Sequence, residues 1–237
     1  MSKWVDGLLT LIFPGECLSC GELTPGEAFC PVCNSFLRSR VETGPLPTCK
    51  VCDGRCTTPG PCGQCLLEPP PYERAFGLFD YAGPIGDAVR AAKYGGRVEA
   101  TRAVVNAVRE AVPRGLIESK PDLVVPIPPH RRRRRVYEMD LPQAIGRTLS
   151  DVLRTRFEGR GLSRKRDIRP QVGLDAAARR SNIRGAFEGT QRVVGRDVLV
   201  VDDVRTTGAT LSEATCALRA AGALRVRVLS AAYVDDL

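Results

Sequence analysis

Four C-x-x-C pairs constrain the first part of this chain more than any other feature. Nine of the ten cysteines fall between Cys17 and Cys65. Eight of them form Cys17/Cys20, Cys30/Cys33, Cys49/Cys52 and Cys62/Cys65, with nine residues between pairs one and two and nine between pairs three and four. The unit CxxC-x9-CxxC is therefore written twice, with fifteen residues between the copies. A C-x-x-C turn brings two thiolates to one tetrahedral ion, and two such turns complete a closed four-cysteine site. Gly21, Pro31, Gly54, Pro61 and Gly63 suit knuckle turns and could not build a core unaided. A disulfide scaffold would need an oxidising compartment. The expectation is about two structural zinc ions, bound by adjacent or by interleaved pairs. Cys56 lies close enough to Cys52 to be a spare ligand, and Cys216 reads as a small buried apolar residue.

The chain has 237 residues, 43% of them hydrophobic, enough for one large or two modest globular domains. No apolar run approaches the ~20 residues that span a bilayer. Trp4, Leu8, Leu9 and Ile12 fall on one helical face, and Asp6 interrupts the segment, so a short packing helix is expected rather than a signal peptide. These features and the reduced cysteines point to a cytoplasmic protein. The rigid Glu68-Pro-Pro-Pro-Tyr72 places a domain boundary there, giving a cysteine-rich region at 1–70 and a second domain at 71–237.

In the second domain, apolar strands alternate with helices, which gives a mostly parallel α/β sheet. Strands are expected at Ala75 to Tyr81, Leu123 to Ile127, Val198 onward and Leu224 to Val234. Helices are expected from Pro84 to about Ala92, from Val98 to Val112 and from Pro142 to Arg154. Gly159 to Ala176 reads as a long polar loop of the kind that often serves as a lid. Charge is uneven: between His130 and Arg192 there are 17 Lys and Arg against 7 Asp and Glu, out of 35 against 27 in the whole chain. That excess implies an anionic partner. Arg131, Arg132, Arg133, Arg134 and Arg135 follow the Leu123–Ile127 strand, either as a wall of an anion site or as a solvated basic turn.

The stretch Val198 to Leu211, VLVVDDVRTTGATL, carries the chemistry. A strand buried on both faces surfaces into Asp202 and Asp203, then a loop of small and hydroxyl residues leads into a helix. Backbone N–H groups and the helix dipole in such a loop attract a phosphate, and threonine hydroxyls add donors. The aspartate pair suits a sugar diol or a divalent metal. Lys93, near the end of its helix, is placed either to cap that helix or to reach a phosphate. The chain has no G-x-x-x-x-G-K-[ST] or G-x-G-x-x-G, and a single histidine, His130, gives little support for triad chemistry.

Val198–Leu211 resembles the phosphoribosyl-pyrophosphate (PRPP) motif of type I phosphoribosyltransferases. The whole chain resembles the ComF family, competence-associated phosphoribosyltransferase-like proteins with an amino-terminal double zinc ribbon. The resemblance rests also on the opening Leu11 to Gly21, on Lys93-Tyr94, on Val124 to His130 with the arginines, and on Gln171 to Leu174, Arg180 to Asn182 and Gly185 to Phe187. It implies a phosphoribosyltransferase-like sheet flanked by helices behind the zinc-ribbon region. It implies that Asp202 and Asp203 bind ribose hydroxyls with Mg2+ assisting, and that Arg205, Thr206, Thr207, Gly208, Ala209 and Thr210 hold the 5′-phosphate. The basic run and Arg180 would meet pyrophosphate, or DNA. Where the family has Arg-Gly-Phe-Asn-Gln, this chain has Tyr137-Glu138-Met139-Asp140-Leu141. That removes a glycine that lets backbone approach pyrophosphate and adds a negative charge. Ligand binding is therefore implied more firmly than turnover, and no acceptor base is legible. The competing expectation is a non-catalytic module for natural transformation. In that reading the arginine-rich face would track single-stranded DNA and the zinc ribbons would dock a helicase or another DNA-processing protein. Aromatic residues make up 5% of the chain, which gives stacking platforms little support.

Overall fold

The computed structural model describes residues 15–42, 48–56, 58–129, 140–165 and 183–234. The expected helix near the amino terminus, Arg131 to Arg135, Arg180 and residues 137–139 of the departure lie outside that set. In chain order the helices and strands are α1 (Pro31–Glu42), α2 (Gly63–Leu67), β1 (Ala75–Asp80), α3 (Pro84–Gly95), α4 (Val98–Glu110), α5 (Arg114–Glu118), β2 (Leu123–Pro126), α6 (Leu141–Leu153), β3 (Arg156–Phe157), β4 (Leu162–Arg164), β5 (Phe187–Gly189), β6 (Asp197–Arg205), α7 (Ala209–Ala220) and β7 (Arg225–Tyr233).

Five strands form one sheet in the order β1-β7-β6-β2-β3, and every pairing is parallel. Such a sheet is covered on both faces, which is why β2, β6 and β7 read as nearly unbroken apolar runs. On one face Phe76, Leu78, Val124, Leu199, Val201 and Leu229 pack against α3, α4 and α6 through Ile85, Val89, Val104, Val108, Ile145 and Leu149. On the other, Val125, Val198, Val200, Val226 and Val228 meet Leu211, Ala214 and Leu218 of α7, together with Leu162 and Phe187 of the small β4–β5 antiparallel pair. The neighbours β2 and β6 send the chain in opposite directions: β2 leads through α6 to β3, and β6 through α7 to β7. A crevice opens at the carboxyl ends of two such strands, where ligands of open α/β sheets bind.

The cysteine-rich region lies against this sheet. Cys17, Cys30 and Cys33 join the core on the α3 side, and the Ser19 hydroxyl donates to Asp87 Oδ2 at 2.6 Å, in the first turn of α3. The turn from Cys49 to Gly54 runs along the outer side of β1. Ala75 N–H donates to the Val51 carbonyl at 2.7 Å, and Gly77 N–H donates to Asp53 Oδ2 at 2.8 Å. β1 is an edge strand, so these bonds satisfy donors that would otherwise stand open.

Several expectations need correction. Pro31 lies in the Cys30–Cys33 turn, where Cys33 N–H meets Cys30 Sγ at 3.5 Å, and is also the first residue of α1, where its missing N–H costs nothing. The helix from Pro84 runs three residues past Ala92 to Gly95, closed by Gly96 in the left-handed region (φ 59°). Of the loop expected from Gly159 to Ala176, residues 166–176 lie outside the described set, and within 159–165 β4 pairs with β5; three-residue strands with one buried side chain each leave no alternating signal to read. Cys216 is exposed rather than buried, since α7 turns Leu211, Ala214, Thr215 and Leu218 inward instead. No helix among the described residues is long and apolar enough to cross a membrane.

Candidate functional site

At the carboxyl end of β6, Asp202 and Asp203 are both buried. The backbone N–H of Asp203 donates to Asp202 Oδ1 at 2.9 Å, which fixes the Asp202 side chain against the main chain. Lys93 Nζ donates to Asp203 Oδ1 at 2.6 Å, joining the last turn of α3 to the end of β6 across 110 residues of sequence. The structure thus brings Lys93 and the acidic pair together, and the lysine reaches the site instead of only capping its helix. Burial, followed by the charge of Asp203, pushes the Asp202 carboxyl up to about 7, while Lys93 works in the other direction. Asp140, just before α6, adds to the upward push, so a third carboxylate faces the pair.

Beyond Arg205 the chain turns through Thr206 and Thr207 to Gly208, whose φ of 73° sets the left-handed conformation that starts α7. Ala209 N–H meets the Thr207 hydroxyl at 3.4 Å. The next N–H groups, of Thr210 and Leu211, belong to a first helical turn and have no intrahelical acceptor. Acidic pair, hydroxyl-rich turn and helix amino terminus therefore share one end of the sheet, beside the end of β2.

Arg205 is the exception among the expected phosphate ligands. Its side chain is 4% exposed and turns away from the loop. One guanidinium nitrogen donates to the carbonyl of Cys52, and the guanidinium carbon lies 4.3 Å from the centroid of the Tyr233 ring. Tyr72 is also buried here; burial pushes its phenol up, and the Arg205 charge opposes the push. The guanidinium head is thus engaged away from the loop, and only the aliphatic stem and main chain of Arg205 stand beside it. Tyr72, Tyr233 and the Cys52 carbonyl are partners that sequence reasoning missed. Their contacts span up to 153 residues and carry no local pattern.

The cysteines resolve into two clusters, Cys17/Cys20/Cys30/Cys33 and Cys49/Cys52/Cys62/Cys65, with all sulfurs in each within 4.8 Å of one another. The pairing is therefore adjacent, not interleaved. A tetrahedral ion with Zn–S bonds of about 2.3 Å sets its sulfurs ~3.8 Å apart. Cys20 and Cys30 sulfurs stand 3.7 Å apart, as do those of Cys52 and Cys62, so each donor set fits zinc. Around Cys49 Sγ the N–H groups of Val51, Cys52 and Cys62 converge at 3.4, 3.4 and 3.2 Å. Cys17 and Cys49 hold the same place in the two repeats, and both thiols are lowered to about 6. Burial acts against ionisation at each, and backbone N–H donors outweigh it. Cys56 stays outside both clusters, with its sulfur 3.5 Å from the Gly54 carbonyl.

No protein-family model matches the chain. Among solved structures, it is similar to the glutamine PRPP amidotransferase of B. subtilis with TM-score 0.37 and 20% identity, over 56% of this chain and 26% of that longer one. It is similar to a purine phosphoribosyltransferase of Pyrococcus horikoshii with TM-score 0.34 and 17% identity, over 57% and 81%. Competence protein F of Haemophilus influenzae is 29% identical over 177 residues, covering 70% of this chain and 76% of the relative. DNA utilization protein YhgH of Escherichia coli K12 is 31% identical over 233 residues, covering 92% and 96%. A match of that depth covers nearly the whole of both chains, and by it the chain belongs to the ComF family, alongside YhgH and competence protein F.

Proposed function

We propose that the protein binds the ribose 5-phosphate end of PRPP, or of a related nucleotide, at the carboxyl ends of β2 and β6. The observation that carries this reading is the junction of Asp202, Asp203 and Lys93 with the Thr206–Gly208 turn at the start of α7. In it, the N–H groups of the turn and of the first helical turn take the 5′-phosphate, with the hydroxyls of Thr206, Thr207 and Thr210 as further donors. Asp202 and Asp203 accept from the ribose diol. Mg2+ entering with the ligand offsets pyrophosphate charge, for which carboxylate oxygens are suitable donors. Arg131 to Arg135 and Arg180 meet the pyrophosphate. The chain's own contribution is to position the ligand and to offset its charge. With the departure at 137–141, binding is the conclusion and turnover is not part of it.

The names of the relatives add a setting. A role in DNA handling, with this ligand as its signal, accommodates both the site and the basic segment. Reduced cysteines in two sets of four support a cytoplasmic location. The second reading, a module that binds single-stranded DNA through its arginines, is favoured by the name DNA utilization protein. Its mark would be affinity that falls steeply with salt and is indifferent to PRPP.

The test is a calorimetric titration of the full chain with PRPP and Mg2+, paired with thermal melting. Saturable binding and a raised melting temperature are expected, by mass action. Asp203→Ala should abolish both while the unliganded protein stays folded. No shift at millimolar ligand would overturn the reading.

A further inference from the structure

The loop that is proposed to hold phosphate is built against the second cysteine cluster and not the first. Arg205 ends β6 one residue before that loop, and its guanidinium is spent on the carbonyl of Cys52, itself a member of the second cluster. The rest of the contact leaves little slack. A side-chain carbon at Gly54 would stand 2.9 Å from the Tyr233 hydroxyl, and one at Gly77 would stand 3.1 Å from Tyr233 Cβ and 3.6 Å from an Arg205 nitrogen. Tyr233 pairs in register with Arg205 across β6 and β7. On the loop side, a carbon added at Gly208 would meet Arg205 Cδ and the Tyr72 hydroxyl, both at 3.8 Å. The stem of Arg205 thus lines the loop's turning point while its head holds the knuckle.

Charge ties the two ends together as well. The Arg205 guanidinium is buried among neutral groups, the Tyr72 phenol, the Tyr233 ring and the Cys52 carbonyl. A buried cation needs an opposing charge nearby. Zinc held by four thiolates carries about −2, and Cys52, whose carbonyl Arg205 holds, is one of the four residues that would bind it. Losing the ion would release the turn that fixes Cys52 and its carbonyl, and with it the anchor of the Arg205 head. Among the described residues the first cluster is tied to the rest of the chain elsewhere, through Ser19 to Asp87 and the core beneath α3.

We propose that Arg205 is a positioning residue through which metal occupancy of the Cys49/Cys52/Cys62/Cys65 cluster controls the geometry of the Thr206–Gly208 loop, and with it ligand binding. The ligand half of this statement rests on the ribose-phosphate reading above. The control of the loop does not.

Three full-length variants separate the cases: Cys62→Ser in the second cluster, Cys20→Ser in the first, and Arg205→Met, which keeps an unbranched apolar stem and removes the charged head. Each is measured for zinc content, for amide hydrogen exchange at Thr206 to Thr210, and for PRPP-Mg affinity. Cys62→Ser should speed exchange in the loop and weaken ligand by about tenfold or more, whereas Cys20→Ser should do neither. Arg205→Met should reproduce the loop and ligand effects with both zinc ions still present. Unchanged loop exchange in Arg205→Met, or equal effects of the two cysteine variants, overturns the proposal. If wild-type protein ignores PRPP, the ribose-phosphate reading fails by itself, and the exchange pattern still decides the coupling.

Discussion

Burial and the neighbouring Asp203 charge push the Asp202 carboxyl up to about 7, from an ordinary value of 3.8. The folded chain therefore keeps a proton there that the unfolded chain releases near pH 4. Between roughly pH 4 and pH 7 the folded state binds more protons, so this residue makes stability fall as pH rises, with the loss complete above about pH 7. Asp202→Asn should flatten that part of the profile, and denaturant unfolding of both proteins across the window measures it. A variant whose slope matches wild type would show that the proton sits elsewhere. A second residue-scale case lies at the opposite end of β6. Asp197 accepts from Arg227 at 3.1 Å with both side chains buried, and from Arg225 at 2.7 Å. From the sequence, Arg227 looks only like an interruption in an apolar strand; its partner explains it. Asp197→Ala leaves a buried arginine uncompensated and should cost about 3–5 kcal/mol, read from the unfolding midpoint.

At the scale of elements, the helices and strands that the sequence discloses are those whose periodicity is long enough to count. β6, β7, α4 and α6 lie within a few residues of where apolar patterning puts them, because each buries one face or both along most of its length. The two-residue β3 and the β4–β5 pair give no such pattern and are held by tertiary contact instead. Gly189 of β5 shows how tightly: a side-chain carbon there would stand 2.7 Å from the Ala217 carbonyl and 2.6 Å from Ala221 Cβ of the segment ending α7. Gly189→Ala should destabilise by about 1–3 kcal/mol through overpacking, seen as a lower melting temperature. A neutral result would mean that the pair lifts away from α7 at no cost.

The site was legible to the same degree and for the same reason. Asp202, Asp203 and the loop are contiguous, so order along the chain reveals them. Lys93 had two readings until the fold brought it to 2.6 Å from Asp203. The role of Arg205 could not be read at all, since it depends on a cysteine turn 153 residues away. Spacing alone gave the cysteine clusters their members but left their pairing open.

For the molecule as a whole, the second cysteine turn has one more effect. It covers the outer side of β1 by taking the N–H groups of Ala75 and Gly77. A strand edge stripped of its cover is a template for another chain. Zinc chelation should then produce particles whose growth rises with protein concentration, followed by light scattering, while Cys20→Ser with its second cluster loaded stays clear. Metal supply would in that way set not just whether the protein works but how much of it remains dissolved.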